Sequence, residues 1–382
     1  MARDKVPHHD PAALPDDVEA QYPLAEQPGP QSLVEFQRLF ATEEQCADYL
    51  YKLRWPAGFI CPRCGSPSGY RLATRGVTEC RNGHQNSLTS GTGMHRSKLP
   101  LTLWFHAAYL VSTLTPGISA LQFQKQLGIS RYETAFQLLH KLRSALVAPE
   151  REPLHGEVEV DEGFIGGPEE GRPGRGAETK SLVVFGVEII RYAAPDPKHP
   201  DDPQARIEKM RAGRVRMNVI PDASAETLVP WCELNIEAGA LVITDGWPAY
   251  NDLEHLGYVH RRILQSRKGK KTGAYLPMIH LIVSNLKRWL LGTHKGAVLP
   301  HHLPAYLNEF TFRFNRRYWR GPAFHRALGL IAHAKKWPEY DTLYSVAKGG
   351  VDAWIHPSFP ADTYPKAVTE GGKAIPLHIV DT

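Results

Sequence analysis

The sequence predicts an α/β protein of two or three domains, and three observations carry that reading. A chain of 382 residues with 42% hydrophobic content can bury more than one core. After Pro153 the patterns run in the order three β-rich strands, helix, buried strand, helices. Before it, a turn-rich segment carrying cysteines gives way to continuous helical periodicity. These shifts divide the chain into a leader (1–30), N-terminal helices with a cysteine-bearing segment (31–95), a helical region (96–150), an α/β domain (151–338) and a C-terminal tail (339–382).

The leader is rich in Pro, Asp and His and has too little apolar surface to offset ordering entropy, so it is expected to be disordered or loosely attached. From Ser32 to Trp55, Leu33, Phe36, Phe40, Cys46, Tyr49, Leu50 and Leu53 recur at helical spacing, predicting two short helices ended by Trp55-Pro56-Ala57-Gly58. Leu99 to Val147 reads as three helices, long, short and long, broken at Thr115-Pro116-Gly117 and at Leu127-Gly128-Ile129-Ser130, with Ser130 expected as the N-cap of the last. The strands are expected at Glu157–Ile165, Ser181–Ile190, Arg214–Ile220 and Ala240–Thr244. The helices of this half are expected at Ala225–Ile236, about Ile279–Leu291 and Leu303–Phe314.

Net charge is a modest +5, but the cations cluster, as a surface for a polyanion requires. Five cysteines, three of them close together, do not form the paired framework of a small secreted protein. No signal core and no apolar run of membrane-spanning length occurs, so neither export nor membrane insertion is expected and a cytoplasmic location is.

Cys61-Pro62-Arg63-Cys64-Gly65 is a CxxC knuckle, and Cys80 with His84 offers a second ligand pair after fifteen intervening residues. Tetrahedral Zn²⁺ needs four soft or borderline ligands from two tight turns, joined by a loop long enough to bring the turns together. The segment has no apolar periodicity of its own, so a structural zinc on Cys61, Cys64, Cys80 and His84 is expected. Buried thiols or a redox pair would leave the matched Cys80 and His84 unexplained. Cys46 and Cys232 lie in apolar helical context and read as core residues.

The break at Leu127–Ser130 followed by a helix from Arg131 to Leu146 outlines a helix-turn-helix, with Arg131, Tyr132 and Gln137 as candidate base contacts. The stripe Ala135, Leu138, Leu139 and Leu142 fits an ordinary helical hairpin equally well.

In Glu157-Val158-Glu159-Val160-Asp161-Glu162 the side chains alternate, so Glu157, Glu159 and Asp161 share one face of a strand. The two glutamates read as a solvated face. Asp161 closes the alternating run just before Phe164-Ile165-Gly166-Gly167. Leu241-Val242-Ile243-Thr244 is an apolar strand that releases Asp245 at its C-terminal end, where sheets bind ligands, although an aspartate there also suits the cap of a following helix. Asn285 lies at the edge of the apolar stripe Ile279, Ile282, Leu286 and Trp289, able to face a cleft or simply the surface. Two carboxylates and a third oxygen ligand suit two-metal phosphoryl transfer, and hard oxygen ligands select two Mg²⁺ or Mn²⁺ ions.

The motifs CPRCG with CRNGH, SLTSGTGMH, VEVDEGFIGG, VITDGWPAY, SNLKRWLLGTHKG and YLNEFTFRFNRR, taken in order, resemble bacterial insertion-sequence transposases of the zinc-ribbon, ISXO-type group. They cover about Cys61 to Arg317. The resemblance implies an RNase H-like mixed sheet with flanking helices, preceded by a small zinc ribbon and a helix-turn-helix-like region. It implies that Asp161 and Asp245 are catalytic acids and magnesium ligands, and that Asn285 stands where most related transposases carry a glutamate. Asn keeps an oxygen ligand but removes a charge; Glu309 is the reserve candidate for the third ligand.

Two basic clusters complete the expectations. Arg261, Arg262, Arg267, Lys268, Lys270 and Lys271 precede the helix of Asn285, which itself carries Lys287 and Arg288. Arg313, Arg316, Arg317 and Arg320 follow among Phe312, Phe314, Tyr318 and Trp319. Such surfaces neutralise phosphates, and the aromatics offer stacking faces. The expected activity is metal-dependent strand cleavage and strand transfer at insertion-sequence ends, on double-stranded DNA, by at least a dimer associated with the nucleoid. The rival readings are a transposase-derived DNA-binding regulator without catalysis, and a metal-dependent nuclease of the same fold.

Overall fold

A computed structural model describes residues 29–334, except 73–74, 148–150, 167–179, 200–201, 203, 264–274, 297 and 319, and a few positions after 334. The leader and nearly all of the tail lie outside the described residues, as do Arg267, Lys268, Lys270, Lys271 and Trp319.

The N-terminal half is built on local signals. Ser32 caps α1 (Leu33–Leu39) and Thr42 caps α2 (Glu43–Arg54), the latter through a reciprocal capping box with Gln45. Three short antiparallel strands follow, β1 (Gly69–Leu72), β2 (Val77–Cys80) and β3 (Gln85–Ser87). Their own core is small: Phe59, Cys61 and Cys80 are buried there, against Tyr51 and Trp55.

The helical region contains α3 (Leu101–Thr113), α4 (Ala120–Gln126) and α5 (Tyr132–Ala145), the long, short, long sequence the breaks predict. The cap of α5 is Arg131 rather than Ser130, and its side chain makes no capping bond. Nor does α3 have a local cap. Glu43 of α2 serves instead, its carboxylate accepting from the backbone N–H groups of Leu101 and Thr102 at 2.8 Å each. Phe36, Leu50, Trp104, Phe105, Leu139 and Phe324 lie in one core joining α1 to α5 with α9 (Arg320–His333). Thus α9, expected within the α/β domain, packs in the helical core.

The α/β half is a mixed sheet of five strands: β4 (Glu157–Ile165), β5 (Ser181–Pro195), β6 (Arg206–Val219), β7 (Leu241–Thr244) and β8 (Val259–Arg262). The spatial order is β6-β5-β4-β7-β8. The first three are antiparallel, and β7 and β8 run parallel to β4. This three-two-one-four-five order is the RNase H-like arrangement. β5 and β6 are longer than expected, and β8, short, polar and at an edge, gave no period in the sequence.

Alternation then assigns the faces. Val158, Val160, Val184 and Val242 pack on α6 (Ala225–Asn235) and the 3₁₀ segment Pro248–Leu256, through Leu228, Trp231, Tyr250 and Leu253. The opposite face carries Ile165, Val183, Phe185, Val187 and Ile243, covered by α7 (Pro277–His294) and α8 (Leu303–Asn315). Cys46 of α2 is buried in the helical core and Cys232 of α6 against the sheet, as expected of core thiols.

Candidate functional site

The four expected zinc ligands converge. Their ligand atoms all lie within 4.8 Å of one another, and no second such cluster of His, Cys, Asp or Glu occurs among the described residues. Gly65 (φ 69°) and Gly83 (φ 76°) supply the left-handed residues that turn each knuckle back on itself. Cys64 Sγ and Cys80 Sγ are 3.8 Å apart; His84 Nδ1 is 3.6 Å from Cys80 Sγ and 3.9 Å from Cys61 Sγ. A tetrahedron with metal–sulfur bonds of about 2.3 Å has edges of about this length, so the donor set fits zinc. Asn86 Nδ2 points at Cys61 Sγ from 3.5 Å, and Asn82 Nδ2 at Cys64 Sγ from 3.4 Å, orienting the two sulfurs from outside the ligand set.

The acidic residues arise differently. β4 pairs with β7 up to Glu159↔Ile243; two residues further on, Asp161 and Asp245 leave the ladder side by side, both on the face covered by α7. Asp161 lies inside β4 rather than at its end, because the strand continues to Ile165. Burial pushes its carboxyl up to about 7, with the charges of Glu162 and Asp245 adding to the effect. Asp245 also accepts a bond from the Trp247 backbone N–H at 2.9 Å, so the turn holds it as well. Asn285 is half-buried on α7, flanked by the buried Ile282 and Trp289.

Glu159 corrects the expectation of a solvated strand face. It is 2% exposed and accepts from the backbone N–H groups of Met278 and Ile279 at 2.9 Å each, at the start of α7. Burial raises its carboxyl to about 7 against the opposing pull of these two bonds. Glu157, in contrast, stays at the rim, paired with Arg191 at 2.8 Å.

Glu309 is fully buried with both oxygens engaged: Oε2 pairs with Arg143 Nε at 2.6 Å and Oε1 with Arg313 at 3.1 Å. It joins α5 to α8 and has no free oxygen for a metal ion, which removes it as the reserve third ligand. Arg313, Arg316 and Arg317, expected as phosphate contacts, are half-buried and also make contacts within the protein. Arg313 also bonds the Thr115 carbonyl and lies over Trp289. Arg316 lies over Phe312. Arg317 lies over Phe314 and donates to the Ala212 carbonyl, where, with Asn315 bonded to Val215, it covers the open edge of β6. Lys287, Arg288 and Arg261 remain exposed.

Arg131 and Tyr132 are exposed at the start of α5, whereas residues 138–147 are buried, so only the first turns of this helix are open to a partner. Beside them opens a cleft of about 500 Å³, its lining including Arg96, Lys98, Ser130, Thr134, Gln137 and Lys141. Lys141 reaches across to the His95 carbonyl at 2.8 Å, tying the segment after the ribbon to α5. Arg96 and Lys98, exposed in that segment, were not singled out in the sequence; they carry no periodic signal.

Residues 153–315 match the ISXO2-like transposase domain, and residues 41–85 match the transposase zinc-ribbon domain. The chain belongs to the zinc-ribbon, ISXO2-like insertion-sequence transposases. It is also 26% identical over 303 residues to a protein in transposable element ISH50 of Halobacterium salinarum, an alignment covering 75% of this chain and 94% of that relative. The two matched domains coincide with the cysteine cluster and with the five-stranded sheet bearing Asp161 and Asp245. Among the described residues no helix is long and apolar enough to cross a membrane.

Proposed function

We propose that this transposase cleaves DNA at insertion-sequence ends and joins the freed ends to target DNA, with Asp161, Asp245 and Asn285 as its catalytic and metal-binding residues. The observation that carries this reading is the placement of Asp161 beside Asp245 on one sheet face, where burial and the neighbouring charges of Glu162 and Asp245 disfavour the ionised form of Asp161 in the absence of a cation. Such a pair, with the neutral amide oxygen of Asn285 from α7, is a hard oxygen donor set suited to Mg²⁺ or Mn²⁺. Held by Asp161, Asp245 and Asn285, two such ions would supply Lewis-acid stabilisation of the charge on the reacting phosphate and its leaving oxygen. The protein's own part is to hold the carboxylates level, to present Asn285 from a rigid helix and to keep the face dry with Ile243, Ile282 and Leu286.

DNA binding falls to the start of α5 (Arg131, Tyr132, Gln137), to the cleft lined by Arg96 and Lys98, and to Lys287 and Arg288 beside the acids. Lys268, Lys270 and Lys271 keep their assignment from the sequence as phosphate contacts. Cys61, Cys64, Cys80 and His84 hold a structural zinc. A dimer or larger assembly, acting on two ends together, is the working unit.

The test is strand cleavage on oligonucleotide ends. Asp161→Ala and Asp245→Ala are each expected to abolish Mg²⁺-dependent cleavage while DNA binding stays within a fewfold of wild type. Undiminished cleavage in both variants removes the assigned centre. Joined products from the wild-type protein separate a transposase from a nuclease of this fold, and an absence of any cleavage would favour a DNA-binding regulator.

A further inference from the structure

The helix that carries Asn285 has no cap of its own. Leu276 stands at the N-cap position of α7 and makes no side-chain capping bond, so the first backbone N–H groups need partners from elsewhere. Glu159 supplies them. Its Oε2 accepts from Met278 N and Ile279 N, both at 2.9 Å, across more than a hundred residues of sequence. The carboxylate is 2% exposed, and its ladder partners, Val187 of β5 and Ile243 of β7, are apolar.

Glu159 and Asp161 are two residues apart on the same strand face, about 6.6 Å along β4. Whatever fixes Glu159 against α7 therefore fixes the start of α7 against Asp161. Asn285 lies seven residues beyond Met278, about 10 Å along a helix that transmits both rise and rotation. Beyond Asn285, Trp289 Nε1 and Thr293 Oγ1 donate to the Pro116 carbonyl at 3.0 and 2.5 Å, so the turn between α3 and α4 holds the other half of α7. Asn285 sits between these two tethers. A slip of one residue at the start of the helix would turn it by about 100° away from the face of Asp161 and Asp245.

We infer that Glu159 is a positioning residue: by capping α7 from β4 it sets the height and rotation at which Asn285 faces the paired aspartates. The inference rests on the proposed catalytic reading of Asp161, Asp245 and Asn285. Its distinctive content is that Glu159 acts through its two bonds to the backbone of α7, not as a metal ligand or as a charge. The acceptor oxygen should then matter and the negative charge should not.

The experiment is a Mn²⁺ titration of the full-length protein by calorimetry, alongside single-turnover cleavage, for wild type, Glu159→Gln, Glu159→Ala and Asp161→Ala. Glu159→Gln keeps an acceptor oxygen and is expected to hold Mn²⁺ affinity and cleavage rate within about threefold. Glu159→Ala is expected to weaken Mn²⁺ binding and slow cleavage by about 10–100-fold, the range for residues that orient metal ligands, with DNA affinity unchanged. If Glu159→Ala does not fold, Glu159→Asp, one methylene too short to reach both N–H groups, is the second variant and should show the same loss.

Wild-type Mn²⁺ affinity in the folded variant that lacks these bonds overturns the inference. So does a loss in Glu159→Gln as deep as that in Asp161→Ala, which would make the charge itself the active feature. The Asp161→Ala control separates the two levels. If it binds Mn²⁺ and cleaves like wild type, the catalytic reading fails; if it loses both while Glu159→Ala loses neither, only the role of Glu159 fails.

Discussion

The zinc ribbon and the acidic face of the sheet both gather ligands, but they reverse the relation between ligands and fold. In the ribbon, four ligands from a 24-residue stretch converge within 4.8 Å, and the buried core beneath them is Phe59 with two of the cysteines themselves. In the acidic face, the proposed ligands Asp161, Asp245 and Asn285 depend on strand register and on a helix laid across the sheet, over a core that includes Phe185, Val187, Ile282, Leu286 and Phe310. The ribbon is therefore expected to need a metal in order to fold. The acidic face is built by hydrocarbon and backbone before any ion arrives, and it accepts the repulsion of neighbouring carboxylates as a consequence.

Zinc removal gives the largest effect and tests the first half of that contrast. Structural zinc contributes on the order of 10 kcal/mol to small domains of this kind, far more than the ribbon's few buried side chains can offset. One zinc per chain is expected by elemental analysis. Cys61→Ser or a strong chelator is expected to unfold residues 59–87 as read by hydrogen exchange, with the sheet's protected amides unchanged. Full protection of the ribbon in metal-free protein would break the contrast.

A buried acid can also be neutralised by arginine, and Glu309 sharpens the comparison by showing that solution. Arg143 and Glu309 are both 0% exposed, so deleting one partner leaves the other's charge buried in a damaged network. Arg143→Met is expected to lower unfolding free energy by about 3–5 kcal/mol in chemical denaturation. Mn²⁺ affinity of the folded fraction should not change, because Glu309 belongs to the seam between α5 and α8. A variant that kept its stability but lost Mn²⁺ would return Glu309 to the metal site.

The ribbon was legible because its chemistry is local: CxxC and CxxxH state both ligands and turns. β4 and β7 were legible because alternation and an apolar run mark them directly. Glu159 was not, since alternation gives it the same face as Asp161 without saying what covers that face, and its partners Met278 and Ile279 come from α7, far along the chain. The cap of α3 by Glu43 escaped notice for the same reason: Pro100 carries no capping side chain, and the carboxylate comes from another helix. The internal contacts of Arg313, Arg316 and Arg317 with Trp289, Phe312 and Phe314 were not legible either, because a basic and aromatic run looks alike whether it faces solvent or folds back on its own rings. The placement of α9 in the helical core was equally unreadable, its Phe324 meeting Phe36 and Phe40 through contacts nearly three hundred residues apart.

The smallest effect tests the second half of the contrast, that the acidic face carries unrelieved repulsion when no ion is bound. Asp161 titrates near 7 in the folded protein and near 4 when unfolded. A group raised in this way leaves stability whole below about pH 4 and lowers it as pH climbs through 7, because ionisation is harder in the folded state. Asp161→Asn removes that dependence. In the absence of divalent ions the variant should match wild type near pH 4 and exceed it above pH 7. The gain, after solvent relaxation at a half-buried carboxylate, is on the order of 1–2 kcal/mol, a few degrees in thermal melting. Mn²⁺ should reverse the order at pH 8 by stabilising only the wild-type pair. An unchanged difference between pH 4 and pH 8 would mean that Asp161 is not strained by its neighbours, and the sheet face would then need no cation to relieve it.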